Sequence, residues 1–284
     1  MEVAVNDLIS NKGQGFTILP SFVSTKQLIK LDQSLQSAVN KSNTSNPKRI
    51  WNLFTEKNIL NYAQPSKNSI LANVLKTTLG NNYLLAGSYS NTIHPGRNNG
   101  SIHQDYPYNV LAKIEQDRRK SLTKSTSSSS SSSSTSTSST STIISPPSCE
   151  TVEITTILAL NDFTATNGAT WIVPNSHTIP LGTSLPSVDS FNTTAVQIIC
   201  KRGDLIIMHG ASHHCSGWNQ ETHSRNAILC MYIKNTVRPQ IDPWMSIPKH
   251  IRTTLNKRSR IMLGAHWHQF DQEQTSKKRK HEET

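Results

Sequence analysis

The chain has 284 residues, of which 34% are hydrophobic and 17% charged, and its formal net charge is +11. This length allows a full hydrophobic core in one large or two small domains. A membrane-spanning or secreted protein is not favoured, because no apolar run approaches membrane-spanning length and the first residues lack a basic start and an apolar centre. The four cysteines form no Cys-x-x-Cys pair, which favours reduced thiols in a cytoplasmic protein.

The excess positive charge is concentrated in one part of the chain. Residues 234–260 contain seven Lys and Arg residues and a single acidic residue, Asp242. A basic helical face and the rim of a site for an anionic substrate both fit this pattern, and a solvated face is the interpretation that we favour. The run KKRK at 277–280 is a candidate nuclear localisation signal, although such runs are common in exposed tails. Nucleic acid is therefore the less favoured partner.

Two amphipathic helices precede the predicted sheet. Ser24 and Gln27 form a capping-box pair, and the apolar residues that follow recur at helical spacing, which predicts a helix over 25–39. A second helix is predicted over 69–79, with Gly80 as its C-terminal stop. Neither helix carries residues typical of catalysis, so we expect both to support a sheet.

Short strands separated by turn residues make up most of the remaining chain. After a leader at 1–14, runs of alternating or β-branched apolar residues are bounded by Gly, Pro and Asn, and Asn167-Gly168 is a hairpin-turn signal. This pattern predicts a β-sandwich or barrel with helical buttresses. The predicted strands are 15–20, 83–96 with its turn, 101–106, 151–160, 169–173, 197–200, 204–208 and 227–233.

A low-complexity tract interrupts the predicted strands. Residues 125–142 are all Ser or Thr, and such a segment buries too little apolar area to offset the entropy cost of its ordering. We therefore expect a disordered insertion at about 121–146. Because it lies between two predicted strands, it indicates a long loop within one domain at 15–268, and a charged disordered tail is expected at 269–284.

The sequence HQD at 103–105 is the first indication of a metal site. In an extended strand, residues two apart point the same way, so His103 and Asp105 would face one cavity. One imidazole from a distant strand would complete a facial arrangement of two histidines and one carboxylate, which leaves iron positions open for a cosubstrate and oxygen. On spacing alone the favoured alternative is a hydrogen-bonded His–Asp pair in a surface turn.

The third ligand would come from a histidine-rich stretch after an apolar run. The candidates are His209, His213, His214 and His223. In an extended segment His213 and His214 point to opposite faces, so at most one of these two enters the cavity. Arg225 opens the next apolar run, and a guanidinium is the natural partner for a buried carboxylate. A surface ion pair at the start of a strand is the alternative for this arginine.

Several other polar and aromatic residues are weaker candidates. Tyr106, Tyr108 and Trp171 could line a substrate pocket, but aromatic residues beside a sheet more often belong to the core. Asn91 and His94 lie on the strand before the His-x-Asp pair, where an inward-facing functional role is the less favoured reading.

Four sequence blocks follow one another in a distinctive order. They are HQD at 103–105, NGATWIVPNSH at 167–177, GDLIIMHGASHHCSGWN at 203–219 and SRNAILCMYI at 224–233. Together they resemble the phytanoyl-CoA dioxygenase family. The opening GFTILPSFVSTKQLIKL and the closing SRIMLGAHW are also similar to that family, so the resemblance runs from about residue 15 to 267, apart from the serine tract.

The resemblance implies a mainly β fold with flanking helices, the double-stranded β-helix of the jelly-roll and cupin-like kind. It also implies iron(II) with 2-oxoglutarate as cosubstrate. The position of an aromatic residue expected in the cosubstrate pocket holds Ile157, which is a departure from the family pattern. Residue by residue, the metal ligands and catalytic centre fall on His103, Asp105 and His214, and the cosubstrate-binding residues fall on Arg225 and Ser216.

The resemblance implies a dioxygenase that hydroxylates an aliphatic C–H bond of a small-molecule or lipid-like substrate and releases succinate and carbon dioxide. Hydroxylation is favoured because halogenating relatives lack the carboxylate ligand, and Asp105 is present. Ascorbate is a candidate reductant. The alternatives are a catalytically silent binding module with the same fold, and the same chemistry on a macromolecular, nuclear substrate. The sequence identifies neither the substrate nor the oligomeric state.

Overall fold

The structure, a computed structural model, describes residues 2–10, 13–42, 44–45, 47–66, 69–106, 151–180, 183–239 and 241–268. Tyr108, the predicted Ser/Thr-rich insertion and the charged tail lie outside the described residues. The single-domain boundaries therefore stay a prediction. Within the described ranges, no helix is long and apolar enough to cross a membrane.

Antiparallel strands dominate the described part of the chain. In chain order they are β1 (Phe16–Leu19), β2 (Leu84–Ile93), β3 (Glu153–Ala159), β4 (Thr170–Ile172), β5 (Val196–Gln197), β6 (Leu205–His209), β7 (His214–Ser216) and β8 (Arg225–Ile233). They form a five-stranded sheet in the order β1-β6-β3-β8-β2 and a three-stranded sheet in the order β5-β4-β7. The predicted mainly β fold is thus confirmed.

Both faces of the larger sheet are covered, because every residue of β3 and β6 is buried. Leu205 and Ile207 of β6 belong to the core that the helices close. Ile206 and Met208 belong to a second core, which also contains Ile172 of β4. Since successive side chains of a strand point to opposite faces, β6 serves two cores at once, and the second core lies between the two sheets.

Of the α-helices in the described residues, all but the one at Val188–Thr194 contribute apolar residues to the core on the outer face of the larger sheet. The helices are α1 (Glu2–Ile9), α2 (Thr25–Lys41), α3 (Lys57–Ala63), α4 (Ile70–Leu79), α5 (Val188–Thr194), α6 (Pro243–Ser246), α7 (Lys249–Thr254) and α8 (Lys257–Met262). The two predicted helices are confirmed as α2 and α4. The capping box of Ser24 and Gln27 is formed at the start of α2, and Gly80 follows α4 with a φ of 91°.

The structure differs from the sequence prediction in several short elements. The predicted leader contains α1, whose Leu8 is fully buried. The predicted strand at 197–200 is reduced to β5 and a single bridge between Cys200 and Phe163. The predicted extended segment at 101–106 forms only an isolated bridge through His103. Helices α3 and α5 to α8 were not predicted, because four to seven residues give too few turns to show apolar periodicity.

The predicted turn at Asn167-Gly168 precedes β4 and contacts two other segments of the polypeptide. The side-chain nitrogen Nδ2 of Asn167 donates to the backbone carbonyl of Asp162 at 2.7 Å. Gly168 has a φ of 85°, and a Cβ atom there would lie 2.8 Å from Cγ2 of Ile93. Both the backbone conformation and the close approach therefore require glycine.

Replacement of this glycine tests that constraint. Gly168→Ala should lower the free energy of unfolding by about 2–4 kcal/mol, because a left-handed backbone strain adds to a steric clash. Gly96→Ala is the matched control, since its φ is 72° but nothing lies within 4 Å of the added atom; it should cost about 1–2 kcal/mol. Urea unfolding of both variants measures the difference, and equal losses would contradict the proposed clash.

Candidate functional site

Backbone pairing brings two distant histidines side by side. The N–H of His103 donates to the carbonyl of His214 at 3.0 Å, and the N–H of His214 donates back to the carbonyl of His103 at 3.0 Å. His214 opens β7 and is paired with Ile172 of β4, so the smaller sheet fixes its position. The segment after β2 is thereby attached to the smaller sheet at the point where both side chains meet.

Three ligand atoms converge at this point. Nε2 of His103 lies 3.8 Å from Oδ1 of Asp105, and Nε2 of His214 lies 3.7 Å from the same oxygen. The three atoms all lie within 4.8 Å of one another. Two imidazoles and one carboxylate at this spacing suit a divalent transition metal, and two histidines with one carboxylate are the donor set of non-haem iron(II) sites.

Hydrogen bonds set the tautomer of both imidazoles. Nδ1 of His103 lies 2.8 Å from the carbonyl oxygen of Ser101, and Nδ1 of His214 lies 3.0 Å from that of Ser212. Because a carbonyl oxygen only accepts, each Nδ1 carries the proton and each Nε2 keeps a lone pair. In both rings it is the lone-pair nitrogen, Nε2, that lies close to Oδ1 of Asp105. Metal binding requires this arrangement.

The carboxylate is held by a neighbouring strand. Oγ1 of Thr155 donates to Oδ2 of Asp105 at 2.7 Å, which leaves Oδ1 for a metal. Glu153, two residues earlier on β3, is buried, and burial together with the charge of Asp105 raises its pKa well above its usual range. Both effects favour the protonated, neutral form of Glu153, which would add no second negative charge beside Asp105.

The electrostatic surroundings favour neutral imidazole at His103. Burial lowers its pKa, the nearby His214 ring lowers it further, and the charge of Asp105 opposes both effects. A neutral imidazole is the form that binds a metal. The net effect keeps the ring ready as a ligand near neutral pH.

The structure separates His214 from the other three candidates. His209 is buried, and its Nδ1 accepts the backbone N–H of Ala211 at 3.1 Å. His223 pairs with Glu221 at 2.8 Å on the surface. Among the described residues, His213 is not part of a group of ligand atoms that could hold a metal. The expectation that only one of two adjacent histidines reaches the cavity thus agrees with the geometry.

Arg225 is buried without a full set of partners. It begins β8 with 1% of its surface exposed. One terminal nitrogen, Nη2, donates to the carbonyl of Gly168 at 2.9 Å, and the guanidinium lies over the Phe163 ring at 4.4 Å. Nε and Nη1 have no hydrogen-bond partner among the described residues. Burial lowers the pKa of this arginine to about 9, which reflects the cost of a buried cation that lacks a counter-anion.

A cavity of about 290 Å³ adjoins the metal ligands. Its walls include Ser216, Thr170 and Asn91, and the Asn91 side-chain oxygen has no hydrogen-bond partner in the described chain. Ile157 and Leu229 form an apolar part of the wall. Arg225 is not a wall residue, but it lies on the same face of β8 as Leu229, since the two are four residues apart in a strand.

The unpaired groups around this cavity fit a small dicarboxylate. Buried donors without partners are rare in proteins, and a carboxylate would satisfy Nε and Nη1 of Arg225 as a paired acceptor. Ser216 and Thr170 face each other across β4 and β7 and add hydroxyl donors. Ile157 stands where the family resemblance implied an aromatic residue, so this part of the cavity wall is aliphatic.

The weaker candidates have mixed positions. Asn91 lines the smaller cavity, whereas Nδ1 of His94 lies 3.1 Å from the Ser224 hydroxyl, away from the metal ligands. Tyr106 lines a larger cavity beside His103. Trp171 is half-buried and lines neither of these two cavities.

Sequence reasoning missed Thr155, Glu153 and Thr170. One signal was present, because polar residues at 153 and 155 alternate through an otherwise apolar strand. Polar residues on one face of a buried strand need partners, which indicates a cavity or a polar network on that face.

Comparisons with known proteins find similarity over part of the chain. The family model described as "Phytanoyl-CoA dioxygenase (PhyH)" matches residues 144–227. The chain is 32% identical over 112 residues to the multifunctional dioxygenase prhA of Penicillium brasilianum, a match that covers 37% of this chain and 36% of that protein. Over this part of its length the chain is similar to the phytanoyl-CoA dioxygenase family. The matched region contains His214, Ser216 and Arg225, while His103 and Asp105 lie before it.

Solved structures establish the fold of the chain. The crystal structure of AviO1 from Streptomyces viridochromogenes Tue57 superposes with a TM-score of 0.56 at 14% identity, covering 84% of this chain and 96% of that one. SnoN, described as a non-heme alpha ketoglutarate dependent epimerase from nogalamycin biosynthesis, gives a TM-score of 0.57 at 14% identity, covering 84% and 85%. The predicted double-stranded β-helix is confirmed. The sequence match spans only about a third of the length of the curated relative, 36%.

Thr155 offers a test of the carboxylate's orientation. Thr155→Val removes the hydroxyl that bonds Asp105, and we expect it to weaken Mn(II) binding about tenfold or more, as is usual when a partner of a metal ligand is lost. Electron paramagnetic resonance of free Mn(II) during a titration measures the affinity. Thr156→Val is the matched control, because the Thr156 hydroxyl bonds the carbonyl of Cys230 instead. Equal affinities for both variants would contradict the role assigned to Thr155.

Proposed function

We propose that this protein is an iron(II)- and 2-oxoglutarate-dependent dioxygenase that hydroxylates an aliphatic C–H bond of a small-molecule or lipid-like substrate. The observation that carries the proposal is the convergence of His103, Asp105 and His214 beside a cavity. A buried arginine with unpaired donors, on the same face of β8 as a wall residue of that cavity, supports 2-oxoglutarate as the cosubstrate.

In this proposal His103, Asp105 and His214 hold the iron. Three protein ligands leave the remaining positions for cosubstrate and oxygen. The chain contributes geometry here: the paired backbone bonds fix the two imidazoles, and Thr155 orients the carboxylate. Each of these groups is held before the metal binds, so little reorganisation accompanies binding.

Arg225 and Ser216 would bind the far carboxylate of 2-oxoglutarate. The guanidinium offers Nε and Nη1 as a paired donor, and it is already held in place by Gly168 and Phe163. A carboxylate in this position neutralises a buried cation, and water is kept away by the aliphatic side chains of Ile157 and Leu229. Both effects favour a dicarboxylate over a neutral ligand.

When bound, iron(II) would supply the redox chemistry that couples oxidative decarboxylation of 2-oxoglutarate to substrate oxidation by oxygen, with release of succinate and carbon dioxide. The side chains orient the cosubstrate and exclude water from the cavity. Ascorbate is proposed as the reductant that keeps the iron ferrous. Asp105 supports hydroxylation, because it fills the position that halogenating relatives leave without a carboxylate.

Two alternatives have less support. A silent binding module would have no need of a complete ligand set together with an unsatisfied buried arginine. The same chemistry on a nuclear macromolecule would draw on the basic region 234–260 and on the tail, and nucleic-acid binding with a steep salt dependence would support it.

Arg225 separates cosubstrate binding from metal binding. Arg225→Met should raise the 2-oxoglutarate concentration needed for half-saturation by about a hundredfold or more, because truncation removes a charge-assisted paired hydrogen bond from a dry site. Mn(II) affinity should change little, since no metal ligand is touched. Arg202→Met is the control, because Arg202 pairs with Asp32 on the surface. It should change neither value. Unchanged cosubstrate dependence in Arg225→Met would refute the assignment.

The metal and cosubstrate can be tested together by spectroscopy. Anaerobic addition of iron(II) and then 2-oxoglutarate to the wild-type protein should give a weak visible charge-transfer absorption, and His214→Ala should give none. Circular dichroism must show that the variant is folded. Folded wild-type protein without this absorption would favour the silent module. Where the absorption is present, succinate formation in air with ascorbate tests turnover.

A further inference from the structure

The metal ligands also line a second, larger cavity. It has a volume of about 510 Å³, within the usual range for a small-molecule site, and includes His103 and Asp105 in its wall. Trp51, Tyr89 and Met231 add apolar surface. Arg49, Tyr89 and His103 line the smaller cavity as well, whereas Trp51 and Met231 line only the larger one of these two. A substrate along Trp51 and Met231 would therefore lie beside the metal ligands and outside the cosubstrate cavity.

The charged groups of this cavity are unevenly distributed. Asp105 and Glu153 are buried on the metal side, whereas Arg49 and Arg238 are exposed and therefore lie toward the solvent. Among the described residues, these are the only carboxyl groups in the wall, and both belong to the inner end. A ligand that spans the cavity would meet cations at its outer end.

Arg49 is held by aromatic rings and has no acidic partner among the residues that the structure describes. Its guanidinium carbon lies 5.2 Å from the centre of the Tyr89 ring and 5.8 Å from that of Trp51, and these two rings are themselves stacked with centroids 4.5 Å apart. Cation–π contact uses the flat face of a guanidinium and leaves its N–H groups available. No ion pair or side-chain hydrogen bond joins Arg49 or Arg238 to any part of the chain that the structure describes.

Several acidic residues of the described chain are paired with other basic side chains. Glu56 pairs with Lys41 and Asp162 with Lys201, and Asp242 pairs with His268. Lys48 stands next to Arg49, and its pKa is lowered first by partial burial and then by the charges of Arg97 and Arg49. Within the described residues, the rim of the cavity therefore carries positive charge that is not paired with an anion.

We infer that this cavity binds a substrate with an acidic group, a carboxylate or a phosphate, which contacts Arg49 and Arg238 while an apolar body lies along Trp51 and Met231 toward the metal ligands. This assignment of a substrate class rests on the proposed dioxygenase function. It revises the interpretation of Arg238 from a solvated cation to part of an anionic-substrate rim.

Three probes with the same octyl chain test the inference: nonanoate, octyl phosphate and octanol. Isothermal titration calorimetry with wild-type protein, in the presence of Mn(II) and saturating 2-oxoglutarate, should show an acid that binds at least tenfold more tightly than octanol. Which acid binds more tightly distinguishes a carboxylate substrate from a phosphate. Equal binding of octanol and both acids would overturn the inference.

Variants of the two arginines locate the acidic group. Arg49→Gln and Arg238→Gln should each weaken binding of the preferred acid by about threefold to tenfold, because the arginines are exposed and partly screened, and should leave octanol binding unchanged. Arg202→Gln is the control, and it should bind all probes as wild type does. The inference fails if the arginine variants bind the acid normally. It also fails if they weaken the binding of 2-oxoglutarate and not the binding of the acid.

The design separates this inference from the proposed function. Mn(II) and 2-oxoglutarate affinities are measured on the same samples before any probe is added. If the wild-type protein binds Mn(II) and 2-oxoglutarate but binds neither acid, the substrate class is overturned and the proposed function is left intact. Failure to bind Mn(II) or 2-oxoglutarate, with acid binding that still depends on Arg49, would overturn the function and leave an acid-binding cavity. An acid that is displaced by 2-oxoglutarate occupies the other cavity and contradicts the inference.

Discussion

The two backbone hydrogen bonds between His103 and His214 are the interaction on which the site depends. They join the segment after the edge strand β2 to β7 of the smaller sheet, and each residue gives and receives one bond. This bridge brings together two of the three candidate ligands, which lie far apart in the sequence. Because the bridge uses main-chain atoms, both imidazoles stay free to present Nε2 to Asp105, while their Nδ1 atoms are bonded to neighbouring carbonyls.

Several ionisable groups of the site are buried. Arg225 is buried, as are Glu153 and the candidate metal ligand Asp105. Buried charges without partners destabilise a fold, so such an arrangement is expected where ligands complete it. In our proposal a metal neutralises Asp105 and a dicarboxylate neutralises Arg225. Protonation removes the charge of Glu153.

Two cavities meet at His103, and their walls differ in character. The smaller one offers hydroxyl and amide groups beside aliphatic side chains, and Lys48 and Arg49 also line it, which suits a short dicarboxylate. The larger one combines aromatic surface with two exposed arginines. A ligand in either cavity would contact the same metal site from a different side, as a reaction between a cosubstrate and a substrate requires. The division of roles follows from strand pairing, because β2, β3 and β8 each contribute residues to both walls.

The sequence by itself determined the local features: the capping box at Ser24, the turn at Gly168, the β-rich texture and the alternation that admits only one of His213 and His214. The family resemblance then selected the ligand set, whose roles stay predictions, as do the serine insertion and the basic tail. Only the tertiary structure decided which groups surround those ligands. Thr155 behind Asp105 and Arg49 above Trp51 depend on register between strands far apart in the chain, and local periodicity contains no information about that register.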